Sequence, residues 1–285
     1  MNLIETVTFE QIKQSAANLK TTRPAYGPLI DFYREVFIAQ EKSKQKLCLE
    51  PIVIDDKMLQ LKLDNEMPLI SQNEFIIDTG SAIALMEQIT SLAIEHAPQL
   101  SGAAGILKQM FEHKELAVEN IFMAVLDDDQ GKLRDMADAM HLLESELVFF
   151  AISSMAPSIQ TCASQLNNYL KDQPKWTKMY CPVCGQGPDI GFLDDTGSKH
   201  LVCSFCTNTW QVKRMGCAFC ETIDSKQQHY FFSEEEKEYR VDLCDNCQKY
   251  LKLIDLREIK RKFYPPLEQI TTLHLDMQAQ EKGYT

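Results

Sequence analysis

A chain of 285 residues is long enough for two domains. Its 45% hydrophobic and 25% charged residues make an ordinary globular balance, which excludes general disorder. A net charge of -12 repels phosphate backbones and argues against general nucleic-acid binding.

The opening residues, Met1 to Thr8, contain neither a basic region nor an apolar stretch of signal-peptide length. Thr8 and Gln11 have the capping-box spacing that opens a first helix. Pro28 then stands near the start of a second, where its missing N–H costs little. On that helix Leu29, Tyr33, Val36, Phe37 and Gln40 recur at helical spacing. Residues 49–79 read as less regular, with Pro51 and Pro68 as breakers. Gly80 and Ser81 start a helix with Ile83, Leu85, Met86, Ile89, Leu92 and Ala93 on its apolar side, and Pro98 and Ser101-Gly102 end it. Periodic segments follow at about 105–115 and 118–127. The longest signal runs from Leu133 to Met155, and Pro157 is expected to restart a further helix. The apolar run from Leu147 to Met155 includes two serines and reads as too short to span a bilayer. The expectation is a soluble protein of a reducing cytoplasm, with no membrane insertion.

Lys171 to Tyr180 is polar, carries Pro174 and reads as a hinge. After it, short β-type segments appear at Ile190–Leu193, His200–Val202, Trp210–Val212, His229–Phe232 and Tyr239–Leu243, with Asp195–Gly197 and Ser233–Glu236 as turn tips. A last helical segment covers about Pro266 to Gln280. The expected architecture is therefore α plus small β. A helical domain (1–172) is followed by a linker (173–180), two tandem rubredoxin-like or zinc-ribbon modules of four cysteines each (181–212 and 213–261) and a C-terminal helical tail (262–285).

Four Cys-x-x-Cys pairs set the chemistry: Cys181/Cys184, Cys203/Cys206, Cys217/Cys220 and Cys244/Cys247. Ten cysteines in a reducing compartment do not persist as disulfides, and a CxxC turn offers two thiolates to one ion. The gaps of 18, 10 and 23 residues divide the eight into two sequential sets of four, each long gap forming one hairpin. An interleaved pairing is the alternative. Four thiolates accept zinc or iron, and a closed site leaves no position for substrate. Metal binding, at roughly 10–16 kcal/mol per structural zinc site, would supply the folding drive of so small a module. In Cys181-Pro-Val-Cys184-Gly185 the Gly permits the positive φ at the knuckle exit, and Asn246 is the residue of the last pair suited to a left-handed conformation.

Cys48 and Cys162 read as ordinary buried thiols, and His200 and His229 lie close enough to knuckles for an outer role. Trp210, Lys213 and Arg214 form a small basic-aromatic strip that suits a docked peptide or acidic group. No Ser-His-Asp order, phosphate loop or dinucleotide fingerprint appears, so no catalytic residues are named and the chain does not read as an enzyme. A zinc ribbon that binds nucleic acid or protein, and a thiol or iron redox protein, are the rival readings.

The cysteine-rich part carries a resemblance. Cys181-Pro-Val-Cys184-Gly185, Leu201-Val-Cys203-Ser-Phe-Cys206 with Trp210, Arg214-Met-Gly-Cys217-Ala-Phe-Cys220 and Cys244-Asp-Asn-Cys247-Gln-Lys-Tyr250 resemble the FdhE-type formate dehydrogenase accessory proteins. Leu273-His-Leu-Asp-Met277 and Glu281-Lys-Gly-Tyr284 agree with that likeness, and Leu29 to Gln40 and Met67-Pro-Leu69 fit it more loosely. The segment from Pro266 to Thr271 departs from the more acidic stretch usual there. The resemblance implies a cytoplasmic, non-enzymatic assembly factor that binds iron or zinc through the cysteine pairs. Its client would be the catalytic subunit of a respiratory formate dehydrogenase, met before export by the twin-arginine route.

Overall fold

The computed structural model describes residues 8–113, 116–171, 173, 176–232, 234 and 236–285. Among them lie ten α-helices: α1 (Phe9–Thr22), α2 (Gly27–Lys44), α3 (Asp56–Asp64), α4 (Thr79–His96), α5 (Ser101–His113), α6 (Val118–Leu126), α7 (Gln130–Ala139), α8 (Glu144–Leu166), α9 (Pro265–Ile270) and α10 (Leu273–Glu281). Six strands accompany them: β1 (Pro188–Leu193), β2 (Lys199–Cys203), β3 (Thr209–Val212), β4 (Gln228–Phe231), β5 (Tyr239–Cys244) and β6 (Lys249–Asp255). Pro174 and the tip residues Ser233 and Glu235 fall outside the described residues.

The chain forms two compact units, one of Thr6–Ile52 with Ser71–Gln165, the other containing Val53–Ile70 with Leu166–Thr285. The first unit is helical. Thr8 and Gln11 close their capping box in both directions, at 3.2 and 2.8 Å. Asp78 caps α4 through the Ser81 amide at 2.9 Å. Helix α8 supplies the centre of the unit, with Leu147, Phe150, Ala151, Met155, Ile159 and Cys162 all fully buried.

Two expectations change here. The signal from Leu133 to Met155 is two helices, because α7 ends at Ala139, with Met140 as its C-cap, and His141 takes φ 57°. The Leu142 amide then bonds the Ala137 carbonyl and the His141 amide that of Asp138, a Schellman closure made without glycine. Helix α8, in contrast, does not restart at Pro157 but runs through it. Proline leaves the carbonyl four residues back, that of Ser153, without its helical donor. The Gln40 side-chain amide donates to that carbonyl at 2.7 Å. The resulting stretch, Glu144–Leu170, is long and apolar enough to cross a membrane by length and composition, although the run Leu147–Met155 within it is not. Its buried face makes it a core helix.

The second unit is built on one sheet, in the order β3-β2-β1-β6-β5-β4. β1 pairs antiparallel with β2 and β5 with β4, so each long inter-cysteine gap does form one hairpin. The two halves meet where β1 runs parallel to β6, from Ile190 opposite Lys252 to Leu193 opposite Asp255. Strand β6 was missed by sequence reasoning. One face of the sheet, with Ile190, Phe192, Val202, Tyr239, Val241 and Ile254, packs under Leu275 and Ala279 of α10. The expected single tail helix is broken at Thr271 and Thr272, whose hydroxyls bond the carbonyls of Leu267 and Glu268. The fully buried Glu268 is held by Arg261 and by the Tyr239 hydroxyl.

Val53–Ile70 belongs to this unit although it precedes most of the helical one. The amides of Leu69 and Ile70 donate to the carbonyls of Pro182 and Val183, each at 2.9 Å. α3 stands just before them, capped by Asp55, inside the stretch expected to be irregular.

Candidate metal centres

Each cysteine pair sits on a tight turn. In the first three, the amide of the leading cysteine closes back on the chain beyond the turn: Cys181 donates to Gln186, Cys203 to Asn208 and Cys217 to Thr222, at 2.8 to 2.9 Å. The residue directly after the second cysteine has positive φ in all four turns: Gly185 (77°), Thr207 (58°), Glu221 (58°) and Gln248 (57°). The glycine at 185 fulfils its expected role. In the last pair Gln248 takes the left-handed conformation, in place of the expected Asn246. A Cβ on Gly185 would also meet the Pro68 ring at 3.1 Å, so the 53–70 segment presses on this knuckle.

The turns bring the sulfurs of Cys181, Cys184, Cys203 and Cys206 together, and separately those of Cys217, Cys220, Cys244 and Cys247, each set within 4.8 Å. The grouping is sequential, not interleaved. Nearest sulfur pairs are 3.5 to 3.6 Å apart in the first set and 3.6 Å in the second. Four sulfurs ~2.3 Å from one ion stand ~3.8 Å apart in a tetrahedron, whereas a disulfide needs ~2.05 Å. The donor sets therefore fit a closed tetrahedral ion and not cystine.

Amide groups face the sulfurs. Phe205 and Cys206 donate to the Cys203 sulfur at 3.4 and 3.5 Å, and Phe219 and Cys220 to that of Cys217 at 3.3 and 3.5 Å. Sequence reasoning missed two side chains. The Asn208 amide donates to the Cys181 sulfur at 3.7 Å, while its carbonyl accepts from Asn167 at 2.6 Å. The Asn246 amide donates to the Cys220 sulfur at 3.3 Å. An asparagine inside or two residues beyond a CxxC turn was the signal available. Such donors offset thiolate charge and fix ligand orientation.

The two sets differ in exposure. All four cysteines of the first are buried, whereas Cys220 and Cys247 are half-buried. Burial pushes the Cys181 and Cys206 thiols up, while hydrogen bonds from Cys181, Cys184 and Cys206 hold Cys203 far below its ordinary value. Burial likewise raises Cys217. At Cys220 burial is outweighed by the Asn246 amide and the Thr222 backbone, which bring the thiol down to about 6.

The basic-aromatic strip is divided. Trp210 is buried, and its indole donates to the Lys178 carbonyl at 3.1 Å. Lys213 and Arg214 are exposed beyond β3. His200 bonds Asp194 and His229 bonds Asp245, both at 2.9 Å. Cys162 is buried and Cys48 is exposed, not buried as expected.

Comparison with known proteins places these centres in context. Residues 180–214 match the family model "FdhE, central domain". The chain is 26% identical over 271 residues to the FdhE homolog of Aquifex aeolicus, covering 93% of this chain and 88% of that one. It is 29% identical over 210 residues to FdhE of Escherichia coli K12, covering 69% of this chain and 61% of that protein. The crystal structure of FdhE from Pseudomonas aeruginosa has the same fold, with a TM-score of 0.71 over 99% of this chain and 95% of that chain at 20% identity. The chain is thus similar to FdhE proteins along nearly its whole length, matches their central-domain model over its first cysteine cluster and shares the fold of one of them.

Proposed function

We propose that the chain is a cytoplasmic, metal-binding accessory protein that binds the catalytic subunit of a respiratory formate dehydrogenase and assists its maturation before export. One observation carries this reading: the likeness to an FdhE homolog extends along 93% of the chain, and this chain brings eight cysteines into two clusters of tetrahedral size. Cys181, Cys184, Cys203 and Cys206 would hold one ion, and Cys217, Cys220, Cys244 and Cys247 the other, iron or zinc. Bound there, an ion would cross-link two turns of each hairpin and, if iron, would offer a one-electron change. The chain's own groups do the rest. The Asn208 and Asn246 amides orient sulfurs, and the Leu69–Ile70 backbone braces the first knuckle. Four protein ligands leave no open position, so the role is assembly and not catalysis at the metal.

The test has two parts. Anaerobically purified protein should contain two metal equivalents, with Cys184→Ser losing one and Cys244→Ser the other. A strain lacking the gene should make formate dehydrogenase subunits without activity; full activity there would reject the reading. A second reading, one-electron transfer, draws on the half-buried Cys220 and Cys247 at the second centre. Red thiolate-to-iron absorption that bleaches reversibly on reduction would favour it.

A further inference from the structure

The sheet face opposite α10 carries an ion-pair cluster beside the buried Leu201, Leu251 and Leu253. Lys199 on β2, only 2% exposed, donates to Asp242 on β5 at 3.1 Å. Arg240, two residues earlier on β5, pairs with the same carboxylate at 2.8 Å. Together with Arg214 and Lys249 they line a cavity of about 210 Å³ beside the second cysteine cluster, bounded also by Tyr230. Four cations thus share the cavity with the Asp242 carboxylate and with Cys217 and Cys244, whose cluster carries two negative charges when a divalent ion is bound, so the cations still outnumber the anionic charge by one in a chain whose net charge is -12. A local positive potential on an acidic protein attracts and orients a negatively charged partner.

The size and the rim narrow the occupant. Small-molecule sites run to roughly 300–1,000 Å³, so this cavity suits one or two carboxylate side chains better than a nucleotide. Its rim is apolar and aromatic. Of its lining residues Met215 and Tyr230 are 69% and 61% exposed, and Phe232, next to Tyr230, is 52% exposed. The Tyr230 and Phe232 rings stack at 6.2 Å, and the Arg240 guanidinium lies over Tyr230 at 5.3 Å. Tyr230 belongs to β4, the edge strand of the sheet. An exposed edge is a template for an added extended segment.

We propose that this groove docks an acidic, extended segment of a protein partner, its carboxylates entering the cavity of Lys199, Arg214, Arg240 and Lys249 while its backbone runs beside β4. The proposal rests on the client-binding reading above and gives it a surface. Lys199 and Arg240 hold the sheet through Asp242, so Arg214 and Lys249 are the cations to change.

The experiment titrates metal-loaded full-length protein with purified formate dehydrogenase catalytic subunit, and with overlapping peptides tiling that subunit. The double variant Arg214→Ala/Lys249→Ala should bind the subunit about ten-fold or more weakly, while Arg214→Lys/Lys249→Arg binds as the parent does. The peptides selected by the parent protein should be acidic, and their binding should weaken steeply between about 50 and 500 mM salt. If the double variant loses metal or folds poorly, Tyr230→Ala, which removes the exposed ring beneath Arg240 and leaves all four cations in place, should show the same selective loss. Equal binding by the folded variants and the parent would overturn the docking surface and leave the client reading standing. Absence of subunit binding by the parent would defeat both. Selection of non-acidic peptides, or retention of inorganic phosphate with no peptide bound, would overturn the assignment of an acidic polypeptide.

Discussion

Thr207 is a β-branched residue held at φ 58°, in a conformation that costs side-chain-bearing residues about 1 kcal/mol or more. The turn after each second cysteine requires it, whichever residue is there. Thr207→Gly should therefore raise the stability of zinc-loaded protein by about 0.5–1 kcal/mol, the strain relieved less the added freedom of the unfolded chain. Gly185→Ala should lower it by about 1–3 kcal/mol, through positive φ, with the Pro68 contact adding to the loss. Thermal melts of both variants check the pair. Asp194 gives a pH-dependent case. Its carboxylate accepts from the Thr196 hydroxyl and from the amides of Thr196 and Ser198, and these bonds, with His200, hold it below the usual carboxylate value. A depressed carboxylate stabilises the fold above its unfolded value, near 4, and loses that contribution as pH falls through the folded one. Asp194→Ala should cost about 1–2 kcal/mol at pH 7 and progressively less on acidification, in denaturant titrations at each pH. At this scale the eight cysteines and Gly185 were legible because their chemistry is local. Asn208 was marked only by its place two residues beyond a CxxC turn, and which sulfur it reaches, that of Cys181 27 residues away in sequence, is set by the fold.

Helix α8 shows how an element can contradict a sound local rule. Proline at 157 should interrupt it, and does not, because Gln40 from α2 supplies the donor that the chain lacks. Gln40→Leu leaves a carbonyl unpaired and should cost about 1–3 kcal/mol, with the folded spectrum kept; an unchanged denaturation midpoint would refute this account. The break between α7 and α8 was hidden for the opposite reason: its left-handed residue is His141 where glycine is the usual signal. Strand β6 escaped notice because it is central. Leu251 to Ile254 are buried on both faces, and Lys252 among them is a charged residue buried against Asp276 of α10, so the run reads neither as a continuous apolar strand nor as a half-exposed one. The hairpins β1–β2 and β4–β5 lie between cysteine pairs at recognisable spacing and were visible before the fold. Their union into one sheet through β1 and β6 rests on that unmarked strand.

For the molecule as a whole, chelation should act on the two units unequally. Removal of both ions should collapse the sheet unit, which depends on metal, while the helical unit, with its own buried core, keeps most of its far-ultraviolet signal. Release followed with a coloured chelator should be biphasic. The half-buried second centre empties first, and Cys244→Ser abolishes the fast phase; a single phase in the parent protein would show that exposure does not set the order. The segment Val53–Ile70 carries one more consequence, for synthesis on the ribosome. Leu69 and Ile70 leave the exit tunnel more than a hundred residues ahead of Pro182 and Val183, the groups they will bond. Until then the nascent chain holds an unanswered stretch of backbone. A shortened protein that began at residue 173 would meet the reverse shortage, a first knuckle for which no wall was ever translated.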